Sequence, residues 1–247
     1  MTPGATFVPS TYEATVTALR GGVQALSDRV DALPRALDRA LALPLPDWLR
    51  AGLRACVDRL ATLGRAAVDR VGELLAGAAA PVLFFVRAHD WVTQVGGPAS
   101  GVAGALQPGA LRAPRTWEGA AASAYRAAVA GQAPAAAQVH AVATTLASSL
   151  TTCAVAGLAF YVALGVIVTR LLTALAAALA ALGSVVLSWA GLALVVEEAA
   201  VTAAMVVSAV AALTAVQGAA AAAAVGVTNA ARNDTAFPTG HWPRATP

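Results

Sequence analysis

The distribution of charge constrains the fold of this chain more than any other feature of its sequence. Of the 105 positions from 127 to 231, only Arg170, Glu197 and Glu198 carry a formal charge, whereas the preceding residues are rich in arginine, aspartate and glutamate. Charged residues make up 12% of the whole chain, about half of their usual share in a soluble domain. Residues 127–231 must therefore be covered by the rest of the chain, by a partner or by lipid.

The composition predicts helices throughout. Alanine, the residue with the highest helix propensity, is the most frequent, and aromatic residues, which strands favour, make up only 5% of the chain. The hydrophobic content of 58% excludes disorder for most of the chain. We expect an all-α fold, an elongated bundle of long antiparallel helices with an apolar C-terminal helical hairpin.

Periodicity and composition divide the sequence into five segments. Residues 1–95 are predicted to form two amphipathic helices, and residues 96–116 form a loop that is rich in glycine and proline. Residues 117–151 contain a Trp-x-Gly element and a helix, residues 152–228 the apolar hairpin, and residues 229–247 an extended tail.

The first amphipathic helix has a heptad pattern. Apolar residues recur at alternating spacings of four and three, which places them on one face of a helix. These residues are Tyr12, Val16, Leu19, Val23, Leu26, Val30, Leu33 and Leu37. Ser10 and Glu13 fit a capping box at the start of the helix, and Pro34 is expected to kink it.

A second amphipathic helix follows a break at Pro44 and Pro46, with Asp47 as its predicted N-cap. Its apolar stripe is expected to pack against the first helix in an antiparallel pair, as in an ordinary helical bundle. The stripe consists of Leu49, Leu53, Cys56, Leu60, Leu63, Ala67, Val71, Leu74 and Ala78.

Three uncharged stretches lie in the second half, at residues 152–169, 171–196 and 199–227. A membrane-spanning helix needs about 20 apolar residues, so each stretch has, or nearly has, the required length. Arg170 joins the first two stretches without room for a turn, and we therefore expect a hairpin rather than three spans. The hairpin either enters a membrane or is shielded by the first two helices.

The reversal of this hairpin is predicted at Gly183. Glycine takes the left-handed conformation that ends many helices, and Ser184 can cap the helix that follows. The first arm is then expected to run from about residue 134, a proline suited to the first helical position, to residue 182. The second arm is expected to run from about residue 185 to residue 228.

A hairpin of this register brings the three charges of the apolar half together. Arg170 and Glu197 are nearly equidistant along the sequence from Gly183, so they lie at about the same height on the two arms. We therefore predict a buried ion pair between Arg170 and the adjacent Glu197 and Glu198. An alternative is that these charges reach water or one of the first two helices.

The segment WEGAAASAYR, residues 117–126, follows the segment that is rich in glycine and proline. Gly119 permits a close approach of helices, Trp117 offers a large apolar surface, and Tyr125 follows on the same side as the preceding alanines. The segment resembles the Trp-x-Gly (WXG-motif) helical-hairpin proteins of actinobacterial type VII (ESX) secretion. The chain is most similar to their larger variants, in which apolar helices follow the motif.

The resemblance covers about residues 47–150, and it implies that Trp117 and Gly119 lie at a turn between two antiparallel helices. It also implies a protein that pairs with a partner and is exported without a cleaved signal peptide. The first 16 residues lack a basic segment followed by an apolar one, so no such peptide is predicted. The usual export motif of the family has an acidic residue four positions after a tyrosine, which Tyr12, Tyr125 and Tyr161 all lack.

The sequence has no pattern of reactive or metal-binding residues. His89, His140 and His241 have no second ligand at helical spacing, and no nucleotide-binding or hydrolase motif is present. A net charge of +3 without an arginine cluster interleaved with aromatic residues argues against nucleic-acid binding. Cys56 and Cys153 are expected to be buried thiols, with a disulfide as the alternative in an exported protein. No cofactor, metal or small-molecule substrate is predicted.

These observations predict a non-enzymatic helical interaction protein, and the resemblance implies that it acts in type VII secretion, either as a substrate or as the companion of an effector. Its partner would be a helical protein or a second copy of the chain, recognised through apolar stripes. Two alternatives remain open at this point. One is a membrane-inserting or pore-forming helical protein, and the other is an integral membrane protein without a role in secretion. The expected location is a membrane, or outside the cell by a route that needs no signal peptide.

Overall fold

In a computed structural model the chain is described at residues 9–112, 116–183, 189–232 and 236–244, and those residues contain helices and no strand. The prediction of an all-α fold is confirmed. The α-helices are α1 Pro9–Leu41, α2 Asp47–Leu75, α3 Ala80–Asp90, α4 Gly97–Ala105, α5 Ala120–Val129, α6 Gln132–Gly183 and α7 Trp189–Ala231. A π-helix, Trp91–Gly96, connects α3 to α4.

The helices divide between two compact units. Unit 1 consists of Met1–Ala80 and Gly157–Thr214, and unit 2 of Pro81–Ala156 and Ala215–Pro247. The long helices α6 and α7 each contribute one part to unit 1 and another part to unit 2. Both units therefore combine segments from the charged first half of the sequence with segments from the apolar second half.

In unit 1, α1 and α2 pack side by side in opposite directions. Val30 of α1 contacts Gly64 of α2, and Tyr12 near the start of α1 reaches Ala78 beyond the end of α2. The heptad prediction for α1 is confirmed, because all of its eight residues are buried except Val23, which is half-buried.

The core of unit 1 forms where these two helices meet α6 and α7. Arg29 of α1 also donates a hydrogen bond to the carbonyl of Leu172 in α6, which links these two helices. The buried side chains come from all four helices. The larger ones are Leu26, Val30, Leu33 and Leu37 of α1, Leu53, Val57 and Leu60 of α2, Ile167, Leu171, Leu175 and Leu182 of α6, and Val206 of α7.

The two predicted N-caps are not formed as expected. Helix α1 already includes Pro9, which suits a first helical position, so Ser10 lies inside the helix. Helix α2 begins at Asp47, and the preceding Pro46 is the N-cap, with the extended backbone that its ring favours. Asp47 still interacts favourably with the positive end of the helix dipole.

The loop predicted at residues 96–116 is wrong for its first part, because Gly97–Ala105 is α-helical. A regular α-helix would press the Pro98 ring against the carbonyl of Gln94. The preceding π-helix shifts the backbone hydrogen bonds by one residue, so that the Gly97 N–H donates to the carbonyl of Val92, five residues earlier. The π-helix itself is held on α6, where His140 is hydrogen-bonded to the carbonyl of Gly96.

Helix α6 ends at Gly183 and α7 begins at Trp189. Gly183 is the last residue of α6 and has no positive φ, so the left-handed cap predicted for it is wrong. The other predicted cap, Ser184, lies outside the described residues. In unit 2 the amide Nε2 of Gln138 in α6 donates to the carbonyl of Ala230 in α7 at 3.5 Å, which fits antiparallel arms.

Candidate interaction surfaces

Helices α6 and α7 expose large apolar side chains. The exposed residues on α6 are Val155, Val162 and Val166, and those on α7 are Val201, Met205, Val207 and Val225. Val207 exposes 69% of its surface, and it lies only one residue from Val206, which is buried in unit 1. The two helices are therefore apolar on the sides that face away from the protein as well as on the packed sides.

Within the described part of the chain, three helical segments are long and apolar enough to cross a membrane. They are Asp47–Ala105, Ala120–Gly183 and Ala204–Ala230. The last of these contains an apolar window of 18 residues in which none is buried within the chain. Membrane-spanning segments need about 20 residues, so all three satisfy the requirement on length.

The threonines of α6 and α7 whose side chains the structure describes have their hydroxyls bonded within their own helix. Thr144, Thr151 and Thr169 donate to the carbonyls four residues earlier at 2.8–2.9 Å. Thr173 of α6 and Thr214 of α7 do the same at 3.0 and 2.9 Å. A hydroxyl that is satisfied inside its helix does not require water, so these side chains are compatible with a hydrocarbon environment.

The ion pair predicted among the charges of the apolar half stays a prediction. Arg170 and Glu197 are both exposed, so a pair between them would not be buried, and the side chain of Glu198 lies outside the described residues. Long charged side chains can extend along a helix so that the charge reaches water while the stem packs on apolar surface.

The Trp-x-Gly element has a defined geometry at the start of α5. Gly119 is the N-cap of this helix, with φ of 94° and ψ of −170°, a conformation that is open essentially only to glycine. A Cβ at Gly119 would meet no atom within 4 Å, so the close approach that we expected is not the reason for this glycine. Trp117 packs on Tyr125, with ring centroids 5.9 Å apart, and it stays 42% exposed.

Two buried tyrosines hold the end of α2 in unit 1, and the sequence did not predict this role. Tyr12 donates a hydrogen bond to the carbonyl of Ala78 at 2.6 Å, and Tyr161 of α6 donates to that of Leu74 at 2.8 Å. Their rings meet edge to face at 6.0 Å. Carbonyls at a helix end need such partners, and a tyrosine in an apolar stripe is the available signal for one.

The pKa of Tyr12 is raised from 10.0 to about 12, mainly by burial and to a smaller extent by the charge of the neighbouring Tyr161. Tyr12 therefore contributes stability that is complete below pH 10 and is lost as the pH rises towards 12. We expect the free energy of unfolding to fall by about 2–3 kcal/mol over this interval. Urea unfolding from about pH 9 to about pH 12 measures the loss, and Tyr12→Phe should remove it. An equal loss in that variant would contradict the assignment.

Residues suited to metal or thiol chemistry are dispersed. The described residues contain no group of three or more histidine, cysteine, aspartate or glutamate side chains that could hold a metal ion. Cys56 and Cys153 are both half-buried thiols, without a disulfide. His140 instead serves packing in unit 2, where its Nδ1 donates to the carbonyl of Gly96 at 2.8 Å.

Comparison with known proteins adds no further assignment. No model of a known protein family matches the chain, and neither a curated protein nor a solved structure is detectably similar to it. The function of these surfaces therefore has to be inferred from the chemistry and geometry of the chain itself.

Proposed function

We propose that the protein is a non-enzymatic helical interaction protein that associates with a lipid bilayer through α6 and α7. The observation that carries this proposal is the segment Ala204–Ala230, which is long and apolar enough to span a membrane and contains a window of 18 residues of which none is buried within the chain. Exposed apolar surface costs about 25 cal/mol per Å² in water. A bilayer would cover the apolar surface of this window.

The polar side chains of these helices support the same proposal. A polar group in hydrocarbon is costly unless it is hydrogen-bonded, and the hydroxyls of Thr169, Thr173 and Thr214 are bonded to their own helices. Small residues are frequent on both arms, and they allow helices in a membrane to approach each other closely.

Replacing Val207 by aspartate tests this proposal. The change places a charge on the exposed face of α7 within the segment Ala204–Ala230. Insertion of an aspartate costs about 2.5–3.5 kcal/mol at the centre of a spanning helix and less near its ends, and Val207 is the fourth residue of this segment. We therefore expect the partition of the purified chain into phosphatidylcholine vesicles, measured by flotation, to fall by about tenfold, and by no more than about a hundredfold.

The matched control is Ala18→Asp on the exposed side of α1, which lies outside the candidate spans. This variant should float with the vesicles as the unchanged chain does. A wild-type chain that stays in the soluble fraction, with no carbonate-resistant membrane pool in cells, would overturn the proposal.

A second candidate function is that of a substrate or effector companion in type VII secretion, with a helical protein as partner. The geometry at Trp117 and Gly119 favours it, because the glycine is required by its backbone and the tryptophan remains partly exposed beside Tyr125. A partly exposed, ordered tryptophan is the kind of side chain that anchors protein interfaces.

Co-purification from an actinobacterium with a type VII system tests this second function. We expect the wild-type chain to retain a helical partner, and Trp117→Ala and Gly119→Ala to lose it. Gly119→Ala introduces backbone strain of about 1–3 kcal/mol at the element. Gly101→Ala is the control, because a Cβ at Gly101 in the same unit meets nothing within 4 Å. Equal partner recovery from all three variants would exclude a role for the element.

A further inference from the structure

Four arginines from separate parts of the sequence occur at one end of unit 2, and we call this region the Arg–aromatic end. They are Arg112, Arg126, Arg232 and Arg244, all exposed. Two aromatic pairs belong to the same region, Trp117 with Tyr125 and Phe237 with Trp242, whose ring centroids are 5.9 and 6.5 Å apart. The described residues of this region include one carboxylate, Glu118.

Contacts within unit 2 bring these segments together at the beginning of α6. The segment from Leu106 to Leu111 lines a cavity with Arg126 and the first turns of α6. The amide Nε2 of Gln132 donates to the carbonyl of Pro243 at 3.1 Å, which holds the C-terminal tail there. Gln138 contacts the carbonyl of Ala230 at the end of α7. The arginines that adjoin these contacts are thereby collected at one end.

The ends of all three candidate membrane spans lie in this region. The spans Asp47–Ala105, Ala120–Gly183 and Ala204–Ala230 have their ends at Ala105, Ala120 and Ala230, respectively, beside these arginines and aromatic side chains. Tryptophan, tyrosine and arginine are the residues that flank membrane-spanning helices at the boundary between hydrocarbon and water. Trp117 and Trp242 are 42% and 44% exposed and are therefore available to such a boundary.

We propose that the Arg–aromatic end lies in the headgroup layer of a membrane leaflet that contains anionic lipids, with the arginines bound to lipid phosphates. This proposal rests on the bilayer association proposed above and adds the lipid class and the end of unit 2 that meets it. Arginine binds phosphate oxygens through two parallel hydrogen bonds, and the excess of arginine over carboxylate complements a negative surface.

The choice of a lipid surface over a nucleic acid follows from what adjoins the arginines. The uncharged segments that start at this end, such as Ala204–Ala230, present apolar surface that a nucleic acid cannot cover. The aromatic side chains occur as two pairs at helix and chain ends, and they do not form a stacking surface along a basic groove.

The test compares vesicles of phosphatidylcholine with vesicles that contain phosphatidylcholine and phosphatidylglycerol in equal amounts. We expect the full-length chain to prefer the anionic vesicles, and the fourfold arginine-to-glutamine variant at positions 112, 126, 232 and 244 to lose this preference. Each arginine near an anionic surface should account for about a fivefold difference in partition. Binding to the neutral vesicles should persist in the variant.

The matched control is the same fourfold change at Arg20, Arg35, Arg54 and Arg59, which are exposed on α1 and α2. This variant has the same net charge and should keep the preference for anionic vesicles. An equal loss of preference in both variants, or no loss in either, would overturn the proposal while leaving bilayer association intact.

Two further results separate the remaining possibilities. With Trp48, Trp91 and Trp189 replaced by phenylalanine, the fluorescence of Trp117 and Trp242 should be quenched by lipids brominated near the headgroup. Absence of quenching in bound protein would overturn the placement of this end.

A chain that binds neither kind of vesicle would refute bilayer association itself. Loss of RNA binding in the fourfold variant, without loss of the preference for anionic vesicles, would assign the arginines to nucleic acid.

Discussion

Replacing Leu33 by alanine is expected to lower the free energy of unfolding of unit 1 by about 2–5 kcal/mol. Leu33 is fully buried in the cluster that α1 and α2 form with α6 and α7. The truncation removes apolar contacts from this cluster and leaves a cavity, because a close-packed core relaxes only in part. This is the largest effect that we expect from a single truncation in the chain.

Labelling of Cys56 measures this loss without interference from the membrane. Cys56 is half-buried on α2 and packs against the same cluster, so its reaction with a maleimide reports opening of unit 1. In a Cys153→Ser background, we expect Leu33→Ala to raise the labelling rate by at least about thirtyfold. Leu43→Ala is the control, since Leu43 is 38% exposed, and its rate should stay near that of the parent. Equal rates for both variants would contradict the assignment of the core.

Replacing Gly64 by leucine should destabilise the same unit by about 3 kcal/mol or more. At Gly64 helix α2 lies close to α1, and even a Cβ there would overlap with Cγ2 of Val30. Valine has a branched, stiff side chain and cannot turn away within a helix. The two helices would have to separate, which opens the core on both sides of the contact.

A smaller substitution isolates the cause of this effect. Gly64→Ala gains about 1 kcal/mol in helix propensity but loses about 1–3 kcal/mol to overpacking. Adding Val30→Ala removes the overlap, so the double variant should be more stable than the sum of the single changes predicts. Gly72→Ala in the same helix meets nothing within 4 Å and should stabilise the protein. A destabilising Gly72→Ala, or strictly additive changes at positions 30 and 64, would contradict the steric explanation.

The packing of α1 and α2 could be predicted from the sequence because it depends on local periodicity. The heptad from Tyr12 to Leu37 places its residues on one face whatever the neighbouring helices are. The helix at Gly97–Ala105 could not be predicted in this way, because its glycines and Pro98 favour a loop when they are judged singly. There the packing of Gly96 on Ala143 and the adjacent π-helix outweigh the low propensity.

The sequence also did not predict features that depend on contacts between residues far apart in the chain. The hydrogen bonds of Tyr12 and Tyr161 span 66 and 87 positions, and a stripe of apolar residues does not indicate which carbonyl a buried hydroxyl will find. The arginines at positions 112, 126, 232 and 244 look dispersed in the sequence, which is why no basic cluster was expected. Folding of unit 2 collects them at the beginning of α6.

The π-helix at Trp91–Gly96 holds one residue more than an α-helix of the same number of turns would need. Helix α4, which continues from it, is consequently rotated by about 100° about the helix axis relative to α3. Removal of one residue from this segment would return the hydrogen-bond ladder to α geometry and turn the side chains of α4 about the helix axis. It would also separate the carbonyl of Gly96 from His140 and press Pro98 against the preceding turn. The extra residue thus sets the direction in which the side chains of the following helix point. Insertions and deletions should therefore be poorly tolerated in this segment.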